Sequence, residues 1–143
     1  MYKRILVTLD RSGLAEQALP HAVALAKAFG GTIELVTVVP ITGFDTPEAG
    51  IRMDWDREVD ENRDYLAGIV ARVTDSNVPV KSEIRRGDVA EEILRHAQEM
   101  HVDLIVMSTH GRSGLGRWVY GSIADRVLRY ATVPVLLVRA SEQ

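Results

Sequence analysis

The chain has no cysteine in its 143 residues. That excludes disulfides and thiolate metal sites, and it fits a reducing compartment. There is no excess of basic charge either. The formal net charge is -3, which argues against nucleic acid as a partner, because such binders carry a basic excess or a basic patch. No apolar run approaches the length of a membrane span. The chain starts basic at Met1-Tyr2-Lys3-Arg4 and turns apolar at Ile5-Leu6-Val7. Asp10 and Arg11 then interrupt the run too early for a signal peptide. The expectation is a single cytoplasmic domain over 1–143, large enough for a real core, with neither a membrane nor nucleic acid as partner.

Two catalytic signatures are also missing. There is no G-x4-G-K-[ST] loop, so the lysine that grips β- and γ-phosphates is absent. The four histidines, His21, His96, His101 and His110, show no ligand spacing on one helix face, and no metal site is read.

What is present is a regular alternation. Ile5-Leu6-Val7-Thr8-Leu9 reads as a fully buried strand that ends at the turn signal Asp10-Arg11-Ser12-Gly13. Apolar positions from Ala15 to Phe29 then recur at helical spacing up to Gly30-Gly31. Pro20 conflicts with that helix and predicts a kink or a later start. A β-branched strand over 32–39 leads into a loop rich in Pro, Gly and Thr. A long charged helix follows over 51–75, with Trp55, Val59, Leu66, Ile69, Val70 and Val73 on its apolar side. Its mixed charges read as a solvated face. Residues 80–85 alternate in character, which predicts an edge strand with a wet face. Asp88 and Glu91 have the spacing of a capping box for a helix over 89–100. Strands are predicted again over 104–107 and 135–138, with a short helix from Ser122 between them.

Strands alternating with helices predict a parallel sheet with helices on both faces. The first and fourth strands are the most apolar, so they belong in the centre, and the third belongs at an edge. That gives the order 3-2-1-4-5, a Rossmann-like α/β fold with a switch point between the first and fourth strands. Ligands bind at such a point, at the carboxyl ends of the strands. Thr8-Leu9-Asp10 and Met107-Ser108 end up there. Directly after Met107 comes the small-residue stretch Ser108-Thr109-His110-Gly111, and later Gly121-Ser122 opens a helix. Glycines let backbone N–H groups approach a phosphate, and a helix N-terminus adds free donors and a positive dipole end. The pattern points to a nucleotide held by its phosphates. Asp10 is the only acid at the predicted mouth, and no base is placed to activate water, so binding is favoured over hydrolysis. A phospho-receiver reading ranks low, because it needs an acidic pair after the first strand and an aspartate after the third.

The chain resembles the universal stress protein family from end to end. The likeness is carried by Ile5-Leu6-Val7-Thr8-Leu9-Asp10-Arg11-Ser12, by Gly87-Asp88-Val89-Ala90-Glu91-Glu92-Ile93, by Met107-Ser108-Thr109-His110-Gly111, and by Gly121-Ser122 with Pro134-Val135-Leu136-Leu137-Val138. The nucleotide-binding branch carries Gly-x2-Gly-x9-Gly-(Ser/Thr) at the C-terminal motif. Two positions depart: Ser108 stands at the motif's first glycine, and Arg11 stands where many members have glycine. Both bear on affinity more than on location. The resemblance implies an ATP-binding regulatory protein of the stress response, with ADP or AMP as alternatives and a magnesium ion only through the phosphates. It also implies a homodimer joined through the last strand, Val135-Leu136-Leu137-Val138. An interaction module without nucleotide and a slow ATPase are the alternatives.

The residues assigned to the nucleotide are Thr8, Leu9, Asp10, Val38, Met107, Ser108, Gly111, Arg112, Gly121, Ser122 and Ile123. Each has a second reading. Asp10 stands beside the adenine or ribose, as the resemblance implies, or is a turn residue or helix cap. Val38 packs against a base or belongs to the core. Ser122 offers a hydroxyl to phosphate or caps a helix with Asp125, and the two roles are compatible. Arg112 and Arg117 neutralise phosphate or are solvated loop charges. Trp55 and Trp118 read as packing or interface residues.

Overall fold

The structure is a computed structural model and describes residues 1–41, 49–110 and 122–141. Its element order is β1 (Arg4–Thr8), α1 (Gly13–Glu16), α2 (Leu19–Phe29), β2 (Thr32–Val39), α3 (Ala49–Asp75), β3 (Val80–Arg86), α4 (Val89–Glu99), β4 (Leu104–His110), α5 (Ser122–Tyr130) and β5 (Val135–Ala140). The five strands form one sheet in the order β3-β2-β1-β4-β5, as expected from their apolar content. All pairs are parallel. Ile5 stands opposite both Ile33 and Leu104, Ile33 opposite Val80, and Ile105 opposite Val135.

Alternation along the strands splits the core into two layers. Ile5, Val7, Ile33, Leu35 and Val106 pack against Leu19, Ala22 and Ala26 of α2 and Leu66, Ile69 and Val73 of α3. Leu6, Val36, Ile105 and Met107 pack against Ala90, Ile93 and Ala97 of α4 and Ala124 and Val127 of α5. β1 is covered on both faces, which is why its sequence is a continuous apolar run.

The helix expected over 15–29 is two helices. Ser12 caps the short α1, its hydroxyl accepting from the Ala15 N–H. α2 begins at Leu19 with Pro20 in its first turn, where the missing N–H would have had no helical partner. Gly30 ends it at φ 65, a left-handed conformation that suits glycine. Asp88 caps α4 by accepting from the Glu91 N–H, the expected half of the capping box.

The wet face expected of β3 is partly covered. Lys81, Glu83 and Arg85 share one face, but α4 closes over Arg85, whose side chain is only 11% exposed. Its guanidinium donates to Glu92 at 2.9 Å and to Glu99 and Glu83 at 3.0 Å, and the carboxylates hold it charged above the ordinary arginine range. His96 lies beside it, 1% exposed, with Nδ1 3.2 Å from Arg85 and Nε2 without a hydrogen-bond partner among the described residues. Burial pushes the His96 pKa down. Among the described residues, no helix is long and apolar enough to cross a membrane.

Candidate functional site

β1 leads to α1 on one face of the sheet, and β4 leads toward α5 on the other. The two strands are neighbours, so a crevice opens between their carboxyl ends. A cavity of about 470 Å³ occupies it. Two of its lining residues are joined where the Leu9 N–H donates to the Val36 carbonyl at 2.9 Å.

The cavity has two chemically different walls. Toward α4 and α5 it is apolar, lined by Val36, Val38, Val89, Ile93, Met107 and Ala124. Toward α3 it is polar, lined by Arg11, Thr37, Glu58 and Asn62. Such a pairing suits a flat apolar ring with polar substituents. Ile123 and Ala124 also border the cavity, so the N-terminal turn of α5 stands at its edge. The first helical N–H groups and the positive dipole end are there for an anion.

Thr8, Leu9 and Asp10 at the end of β1, Val38 of β2, Met107 and Ser108 of β4 and Ile123 of α5 all line this one cavity. Ser122 is the first residue of α5. Gly111, Arg112 and Gly121 lie outside the described residues, as do Arg117 and Trp118.

Asp10 is not the helix cap, because Ser12 has that place. It is a turn residue that also lines the cavity. Its Oδ1 accepts from both the Ser12 N–H, at 3.0 Å, and the Ser12 hydroxyl. The Ser12 oxygen in turn accepts from the Ala15 N–H at 3.1 Å. Ser108 completes the chain: its hydroxyl donates to the Ala15 carbonyl at 3.2 Å. The hydroxyl at a glycine position of the family pattern therefore fastens α1 to β4. Arg11 has φ 69, which explains a preference for glycine there. An arginine accepts that strain and reaches α3, pairing with Glu61 at 3.0 Å and Glu58 at 3.6 Å.

The α3 wall was not foreseen from the sequence. Asn62 lies 3% exposed on α3 and donates from Nδ2 to the Glu58 carbonyl at 2.8 Å. A signal for it existed: Asn62 interrupts the apolar stripe of Val59, Leu66, Ile69 and Val73 at a position where helical spacing calls for an apolar residue. Val89 and Ile93, one turn apart on α4, were also missed. No group of three or more His, Asp or Glu that could hold a metal ion occurs among the described residues.

A parallel five-stranded sheet with a lined crevice at its switch point defines a Rossmann-like fold. The family model described as the universal stress protein family matches residues 1–139, and the chain belongs to that family. It is 32% identical to universal stress protein MJ0531 of Methanocaldococcus jannaschii, over 97% of this chain and 83% of that protein. A solved universal stress protein family member from Burkholderia pseudomallei shares 36% of residues, with a TM-score of 0.81 and 97% of each chain covered. A universal stress protein from Archaeoglobus fulgidus solved in complex with dAMP is 20% identical, with a TM-score of 0.73 and coverage of 96% and 98%. Another, solved in complex with cAMP, is also 20% identical, with a TM-score of 0.67 and 98% of each chain covered. At that identity the last two speak for the fold.

Proposed function

We propose that this chain binds an adenine nucleotide in the cavity at the switch point and works as a homodimeric regulatory protein of the stress response in the cytoplasm, with ATP as the ligand. The observation that carries the reading is the cavity itself. It has the volume of a small-molecule site, an apolar wall for a base, and the start of α5 at its edge for an anion. The family has members solved with dAMP and cAMP, so adenine nucleotides suit this kind of site.

The base lies against Val38, Met107 and Ile93. Asp10 and Glu58 put two carboxylates on the remaining rim, and Arg11 is already engaged by Glu58 and Glu61. A phosphate chain is repelled from that side and runs to the start of α5 and to Gly111 and Gly121. The dimer forms through the free edge of β5, since an uncovered apolar edge strand is a hazard that pairing with a second copy removes.

Calorimetric titration with ATP, ADP and AMP tests the ligand, together with the mass of any small molecule that co-purifies. Saturable binding of one adenine nucleotide per chain is expected. No heat with any of the three, and no co-purified nucleotide, would overturn the reading.

A further inference from the structure

The chain of hydrogen bonds at the cavity mouth has a direction. It begins on β4 at Ser108, which donates to the carbonyl of Ala15 in α1, resumes from the Ala15 N–H to Ser12, and ends on Oδ1 of Asp10. Asp10 keeps a whole carboxylate oxygen unengaged: its Oδ2 makes no hydrogen bond or ion pair among the described residues. Asp10 is exposed and lines the cavity. A free carboxylate on a loop would sweep several rotamers and lose that freedom on binding a ligand. Here Oδ1 is held by two donors from one residue, and that residue is itself held by a helix fastened to the neighbouring strand.

We propose that Ser12 and Ser108 are positioning residues, which hold the Asp10 carboxylate with its second oxygen turned to a donor group of the bound nucleoside. This rests on the nucleotide-binding reading above. Ser12 acts directly, by fixing Oδ1 through its N–H and hydroxyl. Ser108 acts at one remove, by fastening Ala15 and so the α1 turn that carries Ser12. The donor is an O–H of the ribose or the amine of the base, since a carboxylate only accepts. Preorganisation of this kind raises affinity by lowering the cost of ordering the site.

A double-mutant cycle on the full-length protein tests it. ATP affinity is measured by calorimetry for the parent, Ser12→Ala, Ser108→Ala, Asp10→Asn and each serine variant combined with Asp10→Asn. Ser12→Thr serves as the variant that keeps a hydroxyl. Ligand-free melts show that each variant is folded. Ser12→Ala should weaken ATP binding about three- to tenfold and Ser108→Ala about two- to threefold, the scale of one hydrogen bond or less. In the Asp10→Asn background both effects should shrink to less than about twofold, and Ser12→Thr should bind like the parent. 2′-DeoxyATP, 3′-deoxyATP and ITP remove the candidate donors in turn, and the coupling should vanish for one of them. Equal losses with and without Asp10→Asn would make the serines structural only and overturn the proposal, as would coupling that survives all three analogues. A parent protein that binds no nucleotide would sink the reading beneath it as well.

Discussion

The proposed dimer offers the sharpest test, because the β5 edge alternates in what it presents. The Ile105 N–H donates to the Pro134 carbonyl at 3.0 Å. In a parallel ladder the N–H and C=O of one residue point the same way and alternate along the strand. Pro134, Leu136 and Val138 therefore address β4, while Val135, Leu137 and Arg139 turn their backbone groups to the free edge. Leu137→Pro removes an outward N–H and leaves the ladder to β4 intact, the situation in which a strand tolerates proline. In a two-fold dimer the loss occurs in both copies. Two hydrogen bonds at about 0.5–1.5 kcal/mol each give about 1–3 kcal/mol per dimer, or roughly 5- to 150-fold in dissociation constant. Leu136→Pro is the control, since it removes a donor facing β4 and should lower the melting temperature of the chain itself. Sedimentation velocity over a concentration series reads the dimer constant, and circular dichroism reads the fold. A parent that sediments as a monomer at micromolar concentration would refute the interface. A folded Leu137→Pro variant that dimerises as tightly as the parent would place it elsewhere.

Three more outcomes are expected. Val38→Asp should abolish ATP binding in calorimetry while the melt stays near the parent's, because Val38 is only half-buried at the cavity wall. Arg85→Met should cost about 2–3 kcal/mol in urea titrations, less than the usual broken buried pair because Glu92 keeps Arg95, and adding Glu92→Leu should recover part of it. His96 is buried and holds its proton less well when folded than unfolded. The unfolded chain therefore takes up a proton that the folded chain refuses as pH falls. The His96 contribution is complete above about pH 6.5 and is lost progressively below it. Urea titrations at pH 7.5, 6.0 and 5.0 should show that decline, and His96→Leu should flatten it. Asp88 and Glu99, whose pKa values are lowered by Arg126 and Arg85, add their own loss only in the carboxylate range further down.

The strand order was legible because burial on two faces leaves a mark in one dimension. The middle of β1, Ile5-Leu6-Val7, and the first half of β4 are apolar at every position, and only a central parallel strand needs that. The break between α1 and α2 was half legible: Pro20 announced a conflict, but its resolution depended on Ser12 capping a separate turn. The buried cluster of Arg85, Glu92 and His96 was not legible. Charged residues in a helix and an alternating strand have the same pattern whether water or another charge covers them. What separates the cases is that α4 crosses β3 at Arg85, a distance relation between segments that no local spacing encodes.

The site divides along the same line. The residues at the ends of β1, β2 and β4 line one cavity because the sheet order forces them together. The α3 wall was missed because nothing in the order of strands says how far a helix extends over a crevice. Arg11 and Ser108 show the consequence. As departures from a glycine pattern, each suggested a changed fit to the ligand. In the structure both line the cavity, but their polar groups are engaged elsewhere: Ser108 bonds to Ala15, and Arg11 pairs with Glu58 and Glu61. Both fasten the β1–α1 turn, one to β4 and one to α3. The turn that carries Asp10 is thus held from two sides by the two residues that break the family pattern. Bracing and contact are separable in principle, since a lost brace weakens every ligand that uses Asp10 and spares any that does not.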